Sequence, residues 1–335
     1  MKNIRLEELD VIRGLSAIFV ILYHYTYRYY ELYPAESSPL FSVTFGHYGV
    51  QSFFIVSGFV IFMTLEKTEK SLDFIAHRFI RLFPTYWISV FITFFIVSVF
   101  SLPGRETTLY ELFANLTMIH TQFGIQSVDG VYWTLLFELK FYILMLILFF
   151  FKLLHKIEII SVLLLLTVSI VNLLSLEHNI IYKVMNQLFI LLYISYFISG
   201  IMFYKIYKKE ANTFTYLTLG FAFAISLLTN KFDDSIPIII IYLIFVLLSL
   251  HQLKQFSIKP LVFLGTISYA LYLVHQNIGY IVLNYAQEYH YPMWAGMILA
   301  IIISLLLATA ITLIFEKRVI KYLKNLYHTH KLKRL

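Results

Sequence analysis

The chain is expected to be an all-α polytopic membrane protein of about ten transmembrane helices, with both termini in the cytoplasm. Three observations carry this expectation. Of 335 residues, 60% are hydrophobic and only 13% charged, with a mean hydropathy of +0.78. A soluble chain is about half apolar and about a quarter charged. Apolar runs of spanning length recur from end to end, in place of the short alternating segments of a β-barrel. The basic residues also alternate between successive loops, rich on one side and sparse on the other.

Length and apolarity place the helices in order. The first covers 9–30, after Lys2 and Arg5 and with Arg28 near its far end; the second covers 44–65 and runs into Lys67 and Lys70. The third, 82–101, follows Arg78 and Arg81 and leads to a non-membrane stretch, 102–130, that contains Arg105 and ends in SVDGVYWT. Loops of that length are often functional. The fourth, 131–151, and fifth, 157–176, flank Lys152 and Lys156; Lys183 separates the fifth from the sixth, 186–206. Lys205, Lys208 and Lys209 precede the seventh, 212–229, and Lys231 precedes the eighth, 236–251. Lys254 and Lys259 lead into the ninth, 261–285, and the tenth, 293–315, comes after it. The tail from about 317 carries Lys317, Arg318, Lys321, Lys324, Lys331, Lys333 and Arg334. Only Arg28, Arg105, Lys183 and Lys231 fall on the second side, so the first side, with both termini, is assigned to the cytoplasm. The whole of 1–335 reads as one transmembrane domain, with no soluble domain.

Several classes are excluded or disfavoured. There is no cysteine, which removes disulfides, thiol nucleophiles and cysteine-ligated metals, and no metal site is expected. No small-x-small cleavage site comes after the first apolar stretch, so a cleavable signal peptide is not expected. The net charge of +7 fits cytoplasmic loops and anionic lipid headgroups better than nucleic acid.

Depth sorts the ionisable residues into two layers. At about 1.5 Å per residue, Arg13 lies only about 6 Å into the first helix and His24 about 22 Å in. Glu138 lies about 10 Å below the outer edge on the fourth helix, and His275 about 21 Å up on the ninth. His24, Glu138 and His275 therefore share a depth in the outer half of a core about 30 Å thick. Ionisable groups inside a span are costly and usually face a cavity or a site. Arg13, Arg78 and Arg81, with His77 beside them, cluster at the cytoplasmic interface. Arg78 and Arg81 are three apart and share a helix face, and guanidinium pairs suit phosphate. Each residue also has an ordinary reading: the arginines as topology signals or snorkelling side chains, the histidines as packed core groups. Glu138 is harder to explain so, because a buried carboxylate needs a proton or a partner, and Lys140, two residues on, points elsewhere.

The segments LDVIRGLSAIFVILYH (9–24), GVQSFFIVSGF (49–59), HRFIRLFPTYW (77–87), VYWTLLFELKFY (131–142) and LGTISYALYLVH (264–275) resemble, in order and spacing, the acyltransferase-3 family of integral membrane O-acyltransferases. The resemblance implies transfer of an acyl group, commonly acetyl from acetyl-CoA, to a hydroxyl of a cell-surface glycan. It matches the important arginine and histidine of the first helix to Arg13 and His24, the RxxR pair to Arg78 and Arg81, and the WTLxxE carboxylate to Glu138. Two departures stand out: Gln51 occupies a position often acidic in the family, and Asn277 replaces the proline of H-x-P. Some relatives append a soluble esterase-like domain; this chain ends in a basic tail and is expected to finish the reaction alone or with a separate partner.

Acyl transfer to a hydroxyl needs a base and oxyanion stabilisation. His24 is the expected base, with Glu138 orienting its ring, while His275 either takes the base role or helps to hold the acceptor. Arg13, Arg78 and Arg81 are expected to bind the CoA phosphates, and a relay through an acyl-histidine or acyl-tyrosine is open. A transporter or flippase of a glycan or lipid-linked sugar is the rival class, although no inverted repeat is visible. A scaffold subunit is the third.

Overall fold

The computed structural model describes residues 6–33, 39–173, 190–230 and 234–332. Lys2, Arg5, Lys183, Lys231, Lys333, Arg334 and positions 186–189 of the expected sixth helix lie outside the described residues. Among the described residues the regular structure is entirely helical. In chain order the helices are α1 (Glu7–Leu32), α2 (Gly49–Leu65), α3 (Ser71–Phe100), α4 (Leu109–Asn115), α5 (Trp133–Phe150), α6 (Ile157–Leu173), α7 (Ile194–Tyr207), α8 (Thr213–Leu228), α9 (Ser235–Ser249), α10 (Lys259–Glu288), α11 (Met293–Ala310) and α12 (Lys317–Leu332). Among the described residues, seven helical segments are long and apolar enough to cross a membrane. The other three expected spans correspond to α7, α8 and α9, which are apolar but only 14, 16 and 15 residues long.

Two helices run further than hydropathy suggests. α3 starts at Ser71, so His77, Arg78 and Arg81 sit on its first turns and the helix continues through Pro84. α12 continues α11 through a π-helical turn, Ile311–Glu316, so the start of the basic tail is helical.

Packing divides the chain into two compact units. One comprises Met1–Arg13, Tyr48–Phe74 and Phe137–Lys259. Here α2 meets α7 backbone to backbone: a Cβ on Gly58 would overlap the Phe197 carbonyl, and one on Gly200 the Ile55 carbonyl. Small residues permit such close helix approach in an apolar bundle. α7 is enclosed from Ile194 to Tyr204, as its all-round apolar surface requires. A chain of hydroxyls ties it to α8 and α9. Ser226 Oγ donates to Ser195 Oγ at 3.0 Å, and the Tyr242 hydroxyl bonds Ser199 and Ser226 at 2.6 and 2.9 Å. Glu158 is paired with Lys205 at 2.7 Å and accepts the Thr215 hydroxyl.

The other unit comprises Gly14–His47, Ile75–Leu136 and Pro260–Leu335. α1 lies close along α10, because Gly14 abuts the backbone at Leu264–Gly265 and the Tyr25 ring occupies the space a side chain at Gly279 would need. The stretch after α3 is folded. A capping box of Thr108 and Glu111 starts α4. Asn115, at the end of α4, pins the turn into the Gln126–Val128 strand of chain. Its Nδ2 donates to the Glu111 and Gln126 carbonyls at 2.8 and 2.9 Å, and its Oδ1 accepts from Val128 N at 3.0 Å. Tyr86 on α3 donates to the Asn115 carbonyl at 2.7 Å. This scaffold delivers Asp129 to the start of the turn that opens α5.

Candidate active site

His24 opens a π-helical turn, His24–Arg28, in which the Tyr29 N–H bonds the His24 carbonyl five residues back. Such turns inside α-helices occur frequently at functional sites. On this turn Tyr25 is fully buried and donates to the His275 carbonyl at 2.6 Å, with Ser304 Oγ at 3.0 Å. Tyr29 donates to Asn284 Oδ1 at 2.9 Å. α1 is thereby fixed to α10 at the histidine level and about one turn beyond it.

The two histidines of that depth layer meet. His275 Nε2 lies 3.0 Å from His24 Nδ1, with ring centroids 4.9 Å apart. The bonds assign the tautomers. His275 Nδ1 lies 2.8 Å from the Tyr272 carbonyl, which can only accept, so Nδ1 carries the proton and Nε2 the lone pair. His24 Nδ1 then faces two acceptors, His275 Nε2 and the Val20 carbonyl at 2.9 Å. Its proton belongs on Nδ1, which leaves the lone pair on Nε2. A neutral imidazole with a fixed Nδ1–H and an available Nε2 is the form a general base needs.

Asp129 was missed by reasoning from residue type and depth. It is fully buried; Oδ1 accepts from Val131 N and Oδ2 from Asn277 N, both at 3.1 Å. Asn277 Nδ2 donates to the Val128 carbonyl at 2.8 Å. Burial pushes the Asp129 carboxyl up to about 7, against the pull of those two N–H groups and of the Arg105 guanidinium. Proline at 277 would have no N–H to offer, so the departure from H-x-P supplies one of the Asp129 bonds. An acid directly before GVY is a helix-cap signal, and it could have drawn attention to this residue.

Glu138 belongs to the first unit, where its Oε1 accepts from Ser57 Oγ at 3.2 Å and from the Tyr142 hydroxyl. Gln51 is buried in the same unit, with its amide oxygen lacking a hydrogen-bond partner. Arg13, half-buried on α1, is the last residue of that unit's first segment. Arg78 and Arg81 belong to the second unit and are half-buried on α3. Arg81 is ion-paired with Glu316, in the π-helical turn before α12; Glu316 is buried and its Oε2 has no other partner. No sequence spacing announces that pair, which joins residues 235 positions apart. Among the described residues no group of three or more His, Asp or Glu gathers as a metal site would.

A family model described as an acyltransferase domain matches residues 6–315. A protein of Acidianus two-tailed virus named as a candidate acetyltransferase is 26% identical over 281 residues, covering 79% of this chain and 80% of its own. No solved structure matches the chain.

Proposed function

We propose that this chain, which belongs to the acyltransferase-3 family, moves an acyl group from cytoplasmic acyl-CoA to a hydroxyl of a cell-surface or exported glycan. Acetyl-CoA is the default donor, and the host is the cell membrane, with both termini and the basic loops on the cytoplasmic side. The observation that carries the reading is the His24–His275 pair, with the proton of His24 held on Nδ1.

The acceptor O–H gives its proton to His24 Nε2 while its oxygen attacks the thioester carbonyl. The C–S bond breaks, and the CoA thiolate leaves with the proton that His24 returns. His275 Nε2 and the Val20 carbonyl hold the Nδ1–H and stabilise the transient imidazolium, the task the acid performs in a Ser-His-Asp triad. Glu138, held by Tyr142 and Ser57, is assigned to the same reaction as a carboxylate of the membrane interior. His275→Leu is expected to lower kcat about 10- to 100-fold, a smaller loss than His24 itself, because the Val20 carbonyl still orients the ring. An unchanged kcat in that variant removes His275 from the role.

Arg13, Arg78 and Arg81 are assigned to the CoA phosphates. A guanidinium has five donors, enough for Arg81 to keep Glu316 and still reach a phosphate oxygen. Arg78→Ala with Arg81→Ala is expected to raise the KM for acetyl-CoA about tenfold or more, through loss of charge-assisted bonds. Steady-state kinetics with a fixed acceptor read this directly. The function itself is tested by mass spectrometry of surface glycans from cells with and without the chain. One added acyl mass per modified sugar supports the reading, and identical glycans overturn it.

A further inference from the structure

We propose that Arg105, Gln276 and Tyr280 form an acceptor subsite beside His24, which takes a polyhydroxylated acceptor by a hydroxyl neighbouring the one acylated. The inference rests on the acyl-transfer reading above. All four residues belong to one packed unit. Gln276 is 4% exposed, and its Oε1 has no hydrogen-bond partner, while its Nε2 donates to the Tyr280 hydroxyl at 3.3 Å. Buried polar atoms are nearly always bonded, so an orphaned amide oxygen marks a place where a donor belongs. The Tyr280 ring centroid is 6.3 Å from that of His24.

Gly130 lets the two polar groups come close together. A Cβ there would lie 2.5 Å from Gln276 Oε1 and 3.0 Å from Arg105 Nη1. The amide oxygen and the guanidinium therefore lie side by side against Gly130, closer than any side chain at 130 would allow. Arg105 is half-buried in the segment between α3 and α4, is hydrogen-bonded to Tyr33, and lies within charge range of His24 and Tyr280.

The chemistry selects the ligand class. Gln276 Oε1 only accepts and Arg105 only donates. A hydroxyl satisfies both at once, by donating to the first and accepting from the second. A carboxylate or phosphate would suit Arg105 but would set its charge against the amide oxygen. A vicinal diol, as in a sugar, presents one hydroxyl to this pair and the next to His24.

The test uses the purified full chain with acetyl-CoA and two probes: methyl glucosides, and the matching deoxy analogues that lack a neighbouring hydroxyl. Wild type is expected to prefer the diol by about tenfold in KM, the worth of one good hydrogen bond. Gln276→Leu and Arg105→Ala are each expected to erase that preference, with the KM for acetyl-CoA moving less than about twofold. A merely structural role would depress turnover on both probes alike and keep the preference, which would overturn the proposal. Thioester turnover with no preference for any glucoside in wild type would overturn it too. An absence of any thioester turnover in wild type would instead bring down the acyl-transfer reading itself.

Discussion

His24→Ala is expected to lower kcat for acyl transfer by about 10³-fold, within the range of 10²–10⁴ that a positioned general base contributes. The loss is expected on kcat because the imidazole is proposed to act on the acceptor proton, while the proposed donor contacts are other side chains: Arg78 and Arg81 on α3, and Arg13 eleven residues earlier on α1. The fold should survive. His24 is half-buried, and its bonds are to its own helix at Val20 and to one ring, His275. Removing it leaves His275 Nε2 without its donor, a cost of about 1–3 kcal/mol at most. Thioester consumption by protein that elutes as wild type, with an unchanged KM for acetyl-CoA, is the check. Near-normal kcat would remove His24 from the base role.

Gly58→Leu is expected to abolish recovery of folded protein. The position faces the Phe197 carbonyl at a separation that admits no Cβ, so even alanine must push α2 from α7. Overpacking costs about 1–3 kcal/mol where a core can shift, and more where the obstacle is backbone on both sides. The reciprocal contact of Gly200 with the Ile55 carbonyl leaves no direction for relief. Gly220→Ala on α8 is the control: nothing lies within 4 Å of its Cβ position, and a helix-interior glycine gains from alanine. Monodisperse yield and Tm in detergent should therefore collapse for Gly58→Leu and hold or rise for Gly220→Ala.

Much of the fold was readable in the chain. Among the described residues each of the ten apolar segments contains a helix, seven of them of spanning length, as a backbone in hydrocarbon must bond within itself. The boundaries of α3 and α12 were not readable. Their first turns, SLDFIAHRFIR and KRVIKYLK, are basic and amphipathic, so hydropathy stops where the helix does not. α7 reads as an ordinary span because enclosure leaves the same apolar signature as lipid contact.

Within the candidate site, rise per residue brought His24 and His275 to one depth, but not to one another. Their meeting depends on rotation about α1, set by the π-helical turn at His24 and by Tyr25 lying over Gly279, features that a sequence periodicity of 3.6 does not contain. The partner of Arg81 was hidden for a similar reason: Glu316 is a lone acid before a basic run, and only the continuation of α11 into α12 brings it there. In the family-like motif GVQSFFIVSGF, Gly58 is explained by packing alone.

The central claim is that His24 removes the acceptor proton during cleavage of the thioester. The most direct test adds [¹⁴C]acetyl-CoA outside inverted membrane vesicles that carry the full chain and its native glycan, so that the donor meets the cytoplasmic face, and tracks label in the glycan alongside released CoA thiol. Wild-type vesicles should form one labelled ester for each thiol released, and His24→Ala vesicles should bind the donor yet produce neither. Labelled glycan at the wild-type rate in the His24→Ala vesicles, or label crossing the membrane with its thioester intact, would contradict the account.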